Sequence, residues 1–340
     1  KNVNDEVKSA GQEGNVSQEF KKRCYGIIIV KSQHSNFNAD FSGFPRRLPD
    51  KNGTIYATDK ALKYAIRRYW VDKGEKIFAW KEFIEEEKGK EMKNFRPMSI
   101  DEKFESIKYK LKSESKTKKD IIKILLSCLD VRCFGSTFAG EENISICGPV
   151  QISYGINKYF ENTVYSNQIL SPFNPKEKEQ STIGSETKAM ESHYVFDFVI
   201  NPKNLYDHYK ELSSENFPKL TENDIALLKE AMCKGVTNLN SASKIGSENE
   251  LFLFITLSEN SSIQLPTMKD LVAITKENDK YKVDLSKTLS YVTKFMKNGN
   301  KEIENIELYY NQDFVIVEEI NSLSNIQQFD LNYNFLTKPK

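Results

Sequence analysis

The chain has 340 residues, of which 49 are Lys or Arg and 48 are Asp or Glu, so its formal net charge is +1 with His neutral. Hydrophobic residues make up 39% of the chain, which is enough for a packed core, and the length predicts two compact domains or one core with large insertions. A net charge near zero argues against a nucleic-acid-binding protein, whose surface is usually basic, unless the charge is unevenly distributed.

Several classes of protein are excluded by the sequence. No apolar run is long enough to cross a bilayer, and residues 1–20 form a polar N-terminal arm without the apolar core of a signal peptide. The cysteines form no CxxC pair and have no His partner at the spacing of a zinc site, and the three histidines are far apart. We therefore expect a cytoplasmic protein with reduced, buried thiols, and we predict no metal, no cofactor and no membrane contact.

The first predicted elements are a strand and a helix joined by a long polar loop, within the first part of a core domain (21–74). The β-branched run at 24–30 predicts a buried central strand. A helix begins at Thr58, a favourable N-cap, and ends at Gly74, because the apolar residues between them recur at helical spacing.

Two long insertions interrupt the predicted core. Residues 75–125 carry dense charge of both signs with apolar residues at helical spacing, which indicates a helical insertion. Residues 154–193 are polar and lie between two strands, which indicates a protruding β-hairpin arm. An excursion of that length is unusual in a compact domain unless it has a function.

The remaining core is predicted in two further parts, followed by a C-terminal part (261–340) that packs on it. The second part (126–153) contains a strand at 130–135 and a strand at 144–153 with a bend at Gly148-Pro149. The third part (194–260) contains a strand at 194–200, a helix opened by a capping box at Thr221 and a strand at 251–257. The C-terminal part contains a helix at 285–296 and a last strand at 314–317.

Without the insertions, the core order is strand, helix, strand, strand, helix, strand. This is the split βαβ, ferredoxin-like order, which RNA-recognition folds also use, with the sheet face and its loops presented to single-stranded RNA. We therefore predict an α+β fold with an RRM-like, ferredoxin-like core, a helical insertion and a protruding hairpin.

The small net charge hides a strong asymmetry. Residues 21–76 contain 13 Lys or Arg and 5 Asp or Glu, a local net charge of +8, whereas residues 302–330 contain 7 acidic residues and no cation. The basic segment, with the free N–H groups at the start of its helix, suits phosphate binding, although a lysine-rich solvated helix is the alternative. The acidic segment is either plain surface or the complement of the basic segment on a neighbouring copy.

Six strings of residues, in this order, resemble the backbone subunit of the type I-B CRISPR surveillance complex (Cascade), which belongs to the Cas-seven family of the RAMP superfamily. The strings are 24–33 (CYGIIIVKSQ), 35–40 (SNFNAD), 43–46 (GFPR), 57–59 with 63–70 (ATD and KYAIRRYW), 130–135 (DVRCFG) and 148–153 (GPVQIS). The resemblance covers residues 22–260. It departs from the family pattern at Phe37 and Ala39, where the family usually reads Asn-Pro-Asn-Gly-Asp, so the loop is expected to have a different shape.

The resemblance implies a hand-like shape, with an RRM-like palm, the helical insertion and a thumb formed by the hairpin at 154–193. It also implies a function in antiviral defence. Copies of the chain are expected to stack into a right-handed helical filament on the CRISPR RNA, together with other Cascade subunits. Each thumb reaches over the guide held by its neighbour and displaces one nucleotide, and the remaining guide pairs with a strand of target DNA. Because the guide differs with every spacer, such a subunit must hold the RNA backbone and shape without recognising bases.

The candidate RNA-binding residues combine basic, amide and hydroxyl side chains with one aromatic ring. They are Ser35, Asn36, Asn38, Arg46, Arg47, Thr58, Lys60, Lys63, Arg67, Arg132, Phe134, Gln151 and Ser153. The candidate wedge residues of the thumb are Ile169, Leu170 and Phe173, for which local packing of the arm is the alternative. Asp130 and Arg132 are expected to form a structural pair, and Lys60→Ala with Lys63→Ala is expected to weaken guide binding and its salt dependence.

The main alternative is an enzyme. Some relatives in type III complexes cleave target RNA with an Asp in the loop after the first strand, and Asp40 lies in a comparable loop. Such cleavage needs a metal or a second acid–base group beside the scissile phosphate. Because the other motifs resemble the type I form, we expect Asp40 to be a turn residue and the protein not to be an enzyme. An unrelated RRM-like RNA-binding protein is the third possibility.

Overall fold

The computed structural model describes residues 18–88, 92–140, 143–170, 182–206, 217–296, 301–318, 320 and 325–332. Its helices are α1 (Asp59–Asp72), α2 (Ile100–Leu111), α3 (Lys118–Leu126), α4 (Leu129–Phe134), α5 (Glu222–Lys234) and α6 (Ser286–Thr293). Its strands are β1 (Cys24–Ser35), β2 (Tyr56–Ala57), β3 (Phe83–Lys88), β4 (Met92–Pro97), β5 (Gly135–Ala139), β6 (Asn143–Cys147), β7 (Val150–Ile152), β8 (Gly155–Asn157), β9 (Val164–Leu170), β10 (Thr182–Ile200), β11 (Ser247–Leu257), β12 (Ala273–Glu277), β13 (Lys280–Asp284), β14 (Ile303–Tyr310), β15 (Val315–Val317) and β16 (Gln327–Phe329).

The predicted α+β class is confirmed, and β1 is the central strand of its largest sheet. This sheet has the order β16-β14-β11-β1-β10-β8-β2, and β7 and β9 also pair with β10. Strand β1 pairs antiparallel with β10 on one side and β11 on the other, so that Ile27 lies between Asp197 and Leu253. The elements β1, α1, β7, β10, α5 and β11 follow one another as strand, helix, strand, strand, helix, strand.

Both faces of this central sheet are covered. One face packs on α1 and α5, where Ile28 and Val30 of β1 join Leu62, Trp70 and Leu228 in one core. The opposite face packs on α6 and on the small sheet β12-β13-β15, where Ile27 and Ile29 join a second core. Described residues of the C-terminal part (261–340) supply the side chains that cover this opposite face at β1.

The residues predicted to begin and end the helices have these roles in the structure. Thr58 caps α1 by accepting the N–H of Ala61, and Gly74 follows the helix with a left-handed φ of +85°. Thr221 and Asp224 form the predicted reciprocal capping box at the start of α5. The predicted C-terminal helix is found as α6, followed by a short 3₁₀ turn. These side chains satisfy helix N–H groups within a few residues, so the sequence alone is enough to identify them.

The predicted strand at 130–135 is wrong, because these residues form helix α4. Asp130 is buried, and its carboxylate accepts the N–H groups of Phe78 and Ala79. Gly135 ends the helix with a φ of +74°. The strand predicted at 144–153 divides at the Gly-Pro bend into β6, which pairs with β5 in a separate hairpin, and β7, which joins the central sheet.

The two insertions contain more strand than the sequence predicts. Residues 75–125, predicted to be helical, contain α2 and α3 but also the hairpin of β3 and β4. Between 154 and 193, β9 pairs with the first half of β10, from Thr182 to Ala189. Because β1 pairs with β10 only as far as Ala189, this hairpin continues beyond the end of β1. The last predicted strand is found as β15, and β14 before it was not predicted.

The cysteines are free thiols, as the sequence predicts. Cys24, Cys128, Cys133 and Cys233 are buried, and Cys147 is half-buried. Burial raises the pKa of the Cys24 and Cys128 thiols to about 12, so both are protonated and unreactive near neutral pH. Among the helices of the described chain, none is long and apolar enough to span a membrane.

Gly26 is required by the close approach of β1 to its neighbours. A Cβ added here would overlap the carbonyl oxygen of Leu253 and the ring of Phe198. We expect Gly26→Ala to lower the free energy of unfolding by about 3 kcal/mol, measured by urea denaturation. The matched control is Gly184→Ala, where an added Cβ meets nothing within 4 Å, with an expected change below about 0.5 kcal/mol. Equal unfolding curves for the two variants would contradict the packing described here.

Candidate RNA-binding site

The loop between β1 and α1, residues 36–58, is called the basic loop here. It is a folded unit, because Asn38 Oδ1 accepts hydrogen bonds from both the N–H and the hydroxyl of Thr58, at 2.8 and 2.9 Å. Arg46 donates its N–H to the Asn38 carbonyl and its Nε–H to the Ala39 carbonyl. Asn38, Arg46 and Thr58, all predicted site residues, are therefore brought together at the start of α1.

Asp40 organises the tip of the basic loop. Its Oδ1 accepts the N–H groups of Ser42 and Phe44 at 2.8 and 2.9 Å, which is the pattern of a carboxylate that stabilises its own turn. The turn presents two aromatic side chains to solvent, because Phe41 is 106% exposed and Phe44 is 48% exposed. Neither was predicted as a site residue, although aromatic residues beside Arg46-Arg47 are a sequence signal that could have identified them.

Phe37, where the sequence departs from the family pattern, has a packing role in the structure. The Phe37 side chain is buried, and its ring lies 5.8 Å from the ring of Tyr194 on β10. An aromatic anchor therefore fixes the base of the basic loop to the central sheet. The altered loop shape remains a prediction.

The basic loop also contacts the base of the β9–β10 hairpin. Asn36 Nδ2 donates to the Thr187 carbonyl at 3.0 Å, and Arg47 donates to the Asn162 carbonyl at 2.9 Å. At the end of β1, His34 and the Tyr165 hydroxyl form a hydrogen bond of 3.2 Å. The loop and the hairpin thus form one continuous surface at this end of the sheet.

The basic face of α1 is largely neutralised within the chain. Lys60 and Lys63 both pair with Asp59, at 3.2 and 3.1 Å, and Arg67 pairs with the buried Asp130 at 2.9 Å. Lys63 and Arg67 also lie over the ring of Phe134, which stacks on Trp70. These predicted residues lie together, but Arg67 has its own acidic partner and the two lysines share one.

The arginines of the basic loop differ from those of α1. Arg46 and Arg47 donate to backbone carbonyls, and in the described ranges neither has an Asp or Glu within ion-pair distance. A carbonyl satisfies the donor geometry of a guanidinium but leaves its charge uncompensated. The uncompensated positive charge of the predicted site is therefore concentrated on the loop.

Two of the predicted RNA-binding residues, Ser35 and Arg132, form hydrogen bonds within the protein. The Ser35 side chain is buried and shares hydrogen bonds with Ser32 and Ser247. Arg132 forms a bidentate pair with Asp224 at 2.8 and 2.9 Å and donates to two further backbone carbonyls, so the expected pair of Asp130 with Arg132 is wrong. Asp130 pairs with Arg67 instead, because α4 turns the two side chains toward different neighbours.

Gln151 and Ser153 lie on the other face of the sheet from Arg67 and Phe134. Ser153 contacts the N–H of Asp197 and the ammonium of Lys269, on the side of the second core. The adjacent Tyr154 is 45% exposed and stacks on Tyr56, with ring centroids 5.4 Å apart. This aromatic pair links β7 to the basic loop along the sheet edge, and sequence spacing did not reveal it.

Two of the three candidate wedge residues lie in the part of the chain that the structure describes. Ile169 and Leu170 lie at the far end of β9 and are 42% and 58% exposed, so they are available for contact. Phe173 lies outside the described residues. Their role as a wedge remains a prediction.

The acidic C-terminal segment is partly neutralised by its own chain. Glu304 pairs with Lys22 of the basic segment, Glu307 with Lys229 and Glu318 with Lys282. These ion pairs lie within one chain, and the hypothesis that the acidic segment complements a neighbouring copy remains a prediction. No group of three potential metal ligands is found in the part of the chain that the structure describes.

Substitution of Arg132 tests whether this residue stabilises the fold or contacts RNA. Arg132→Ala leaves the buried Asp224 without its counter-charge, so we expect the free energy of unfolding, measured in urea, to fall by about 3 kcal/mol. RNA affinity per folded molecule should stay unchanged. Arg96→Ala, which removes an exposed ion pair with Glu102, is the control and should leave the urea midpoint nearly unchanged. A stable Arg132→Ala protein with weakened RNA binding would reverse the assignment.

Comparisons with known proteins agree with this fold. A chain described as "CRISPR RNA-guided surveillance complex, pre-nicking" is similar over 91% of this chain and 96% of its own, with a TM-score of 0.53 and 12% identity. A second, described as "CRISPR RNA-guided surveillance complex", is similar over 88% and 94%, with a TM-score of 0.44 and 12% identity. No curated protein matches the sequence. The family model of CRISPR-associated protein Cas7 matches residues 22–294, and the chain therefore belongs to the Cas7 family.

Proposed function

We propose that this chain is a non-catalytic, CRISPR RNA-binding backbone subunit of a type I-B Cascade complex in the cytoplasm. The observation that carries the proposal is the basic loop of a Cas7-family chain, on which Arg46 and Arg47 lack acidic partners in the described residues. Phosphate groups of a guide RNA would supply the missing negative charge. The type I-B assignment rests on the order of the sequence strings.

The chemistry of this surface suits recognition of a backbone. Its polar groups are guanidinium, hydroxyl and amide groups, several of which are already fixed by the loop itself, as Asn38 is by Thr58. Fixed donors and a positive charge bind phosphate and sugar without selecting a base, which a subunit that carries many different guides requires. The exposed Phe41, Phe44 and Tyr154 offer ring faces on which any base stacks.

The route of the RNA follows from the covered sheet. An RRM-like strand order is compatible with the sheet topology, but RNA cannot lie on either face at β1, since both are buried there in the cores described above. We infer that the guide runs along the sheet edge, past the basic loop and the base of the β9–β10 hairpin. The hairpin, as the thumb, would then reach the guide on an adjacent copy in a helical filament, leaving the bases free to pair with target DNA.

A target-RNA-cleaving enzyme is the alternative, and the geometry of Asp40 favours the turn role. Its Oδ1 is used by two backbone N–H groups of its own loop. Cleavage assisted by a metal needs further ligands or an acid–base partner beside this carboxylate.

The loop arginines are predicted to contribute more to RNA binding than paired arginines elsewhere. We expect Arg46→Gln with Arg47→Gln to lower the slope of log affinity against log salt concentration by about 1.4, because each single-strand phosphate contact contributes about 0.7. The measurement is fluorescence anisotropy with labelled guide RNA at several salt concentrations. Lys60→Ala with Lys63→Ala should change the slope less, since Asp59 already compensates part of that charge.

The control for this experiment removes the same formal charge from another part of the chain. Arg68→Gln with Arg96→Gln breaks ion pairs with Asp72 and Glu102 and should leave the salt slope unchanged. Equal slopes for the two arginine double variants would contradict the proposed site. A wild-type chain that does not bind guide RNA would reject the proposed function.

Catalysis is tested separately. Incubating the protein and labelled guide with complementary RNA and Mg²⁺ is expected to leave that RNA intact, for the wild type and for Asp40→Ala alike. Regular cleavage by the wild type that is lost in Asp40→Ala would support the enzyme and overturn the non-catalytic proposal.

A further inference from the structure

Lys244, which the sequence did not single out, is attached to the basic loop. It lies in the connection between α5 and β11, and its ammonium donates to the carbonyls of Asn36 and Phe37 at 2.8 and 2.7 Å. The neighbouring backbone strengthens this contact, since Asn36 donates its N–H to the Ser243 carbonyl at 2.8 Å. The first two residues of the basic loop are therefore held against Lys244 from the side of the sheet.

The positive charge of Lys244 has no counter-charge. In the described part of the chain, no Asp or Glu lies within ion-pair distance of its ammonium, and the side chain is half-buried. Burial lowers the pKa of the Lys244 ammonium, with no acidic group acting against that shift. A charge removed from water without a partner destabilises the folded chain unless a ligand compensates it.

The two carbonyl contacts do not explain why this residue is charged. Carbonyl groups of Asn36 and Phe37 also accept hydrogen bonds from a neutral amide, so holding the loop does not by itself require an ammonium. An ammonium has three N–H donors, and the two carbonyls use two of them. Asn36 also has a buried side-chain oxygen, Oδ1, without a hydrogen-bond partner in the described chain, so the polar groups here are incompletely satisfied.

Arg46 of the basic loop resembles Lys244, because it also donates to a backbone carbonyl of the loop and has no acidic partner in the described residues. Arg46 holds the carbonyl of Ala39, three residues after Asn36, and it also lacks an acidic partner in the ranges described. Lys244 and Arg46 thus place two uncompensated charges along the stretch 36–39. We propose that the Lys244 ammonium binds a backbone phosphate of the guide RNA, next to the one bound by Arg46, which adds a residue outside the basic loop to the site. This inference rests on the proposed function.

The experiment separates the charge of Lys244 from its hydrogen bonds. Lys244→Gln keeps a donor for the loop carbonyls and removes the charge, whereas Lys244→Arg keeps the charge. We expect Lys244→Gln to bind guide RNA about tenfold more weakly, with a salt slope lower by about 0.7, and Lys244→Arg to retain the wild-type slope. Lys219→Gln is the matched control, because Lys219 already pairs with Glu19 at 3.3 Å, and its slope should stay at the wild-type value.

The outcomes distinguish this inference from the proposed function. If the wild type binds guide RNA and Lys244→Gln has the wild-type slope, the phosphate contact is rejected while the proposed function stands. If the wild type does not bind guide RNA, both are rejected. Weaker binding of Lys244→Gln with an unchanged slope would show that Lys244 only positions the loop, which also overturns the inference.

A second measurement uses the wild-type chain and does not depend on a folded variant. Limited acylation of lysines, followed by mass spectrometry, compares labelling with and without guide RNA. We expect RNA to protect Lys244 at least fivefold and Lys219 not at all, because a phosphate would occupy the remaining donor of Lys244. Equal labelling of Lys244 in both states would contradict a direct contact.

Discussion

Strand β1 is enclosed on all four sides, and this burial limits where the proposed guide RNA can lie. Strands β10 and β11 flank it so closely that residue 26 must be Gly, and its alternating side chains enter two separate cores. Both faces of the sheet are closed to a ligand at β1. The basic loop begins where β1 ends, and the hairpin of β9 and β10 continues past the same point. The fold therefore directs binding to one end and one edge of the sheet.

Which of the many Lys and Arg side chains are available to bind RNA depends on which of them already form ion pairs within the chain. Local sequence counts give a strongly basic segment, but the structure pairs most of its charges, for example Lys22 with Glu304 and Arg67 with Asp130. Among the cations without an acidic partner in the described residues, Arg46 and Arg47 lie on the basic loop, and their donors face carbonyls rather than carboxylates. Paired surface charges add little to phosphate affinity, whereas cations without acidic partners release counterions when RNA binds. A near-neutral protein can therefore bind RNA strongly at one surface.

The sequence predicts the elements whose signals are local. The buried run of β1, the Thr58 cap of α1 and the capping box of α5 each depend on residues close together in the chain. The run at Asp130–Phe134 fits a strand or a helix equally well, and contacts with Arg67 and Asp224, distant in sequence, decide for the helix. The candidate site was only partly predicted, because only some of its features depend on residues close together in the chain. Asn38, Arg46 and Thr58 belong to one loop motif, but the acidic partner of each cation and the role of Lys244 depend on tertiary contacts that spacing does not encode.

The central claim is that the guide lies along the basic loop and the hairpin base, and photo-crosslinking tests it most directly. Guide RNA containing 4-thiouridine would be assembled with the full chain and irradiated, and the crosslinked peptides identified by mass spectrometry. The account predicts crosslinks within residues 36–58 and near Tyr154 and Tyr165, with few on the surface of α6 or the small sheet β12-β13-β15. Crosslinks concentrated on α6 and that small sheet, with none on the basic loop, would contradict it.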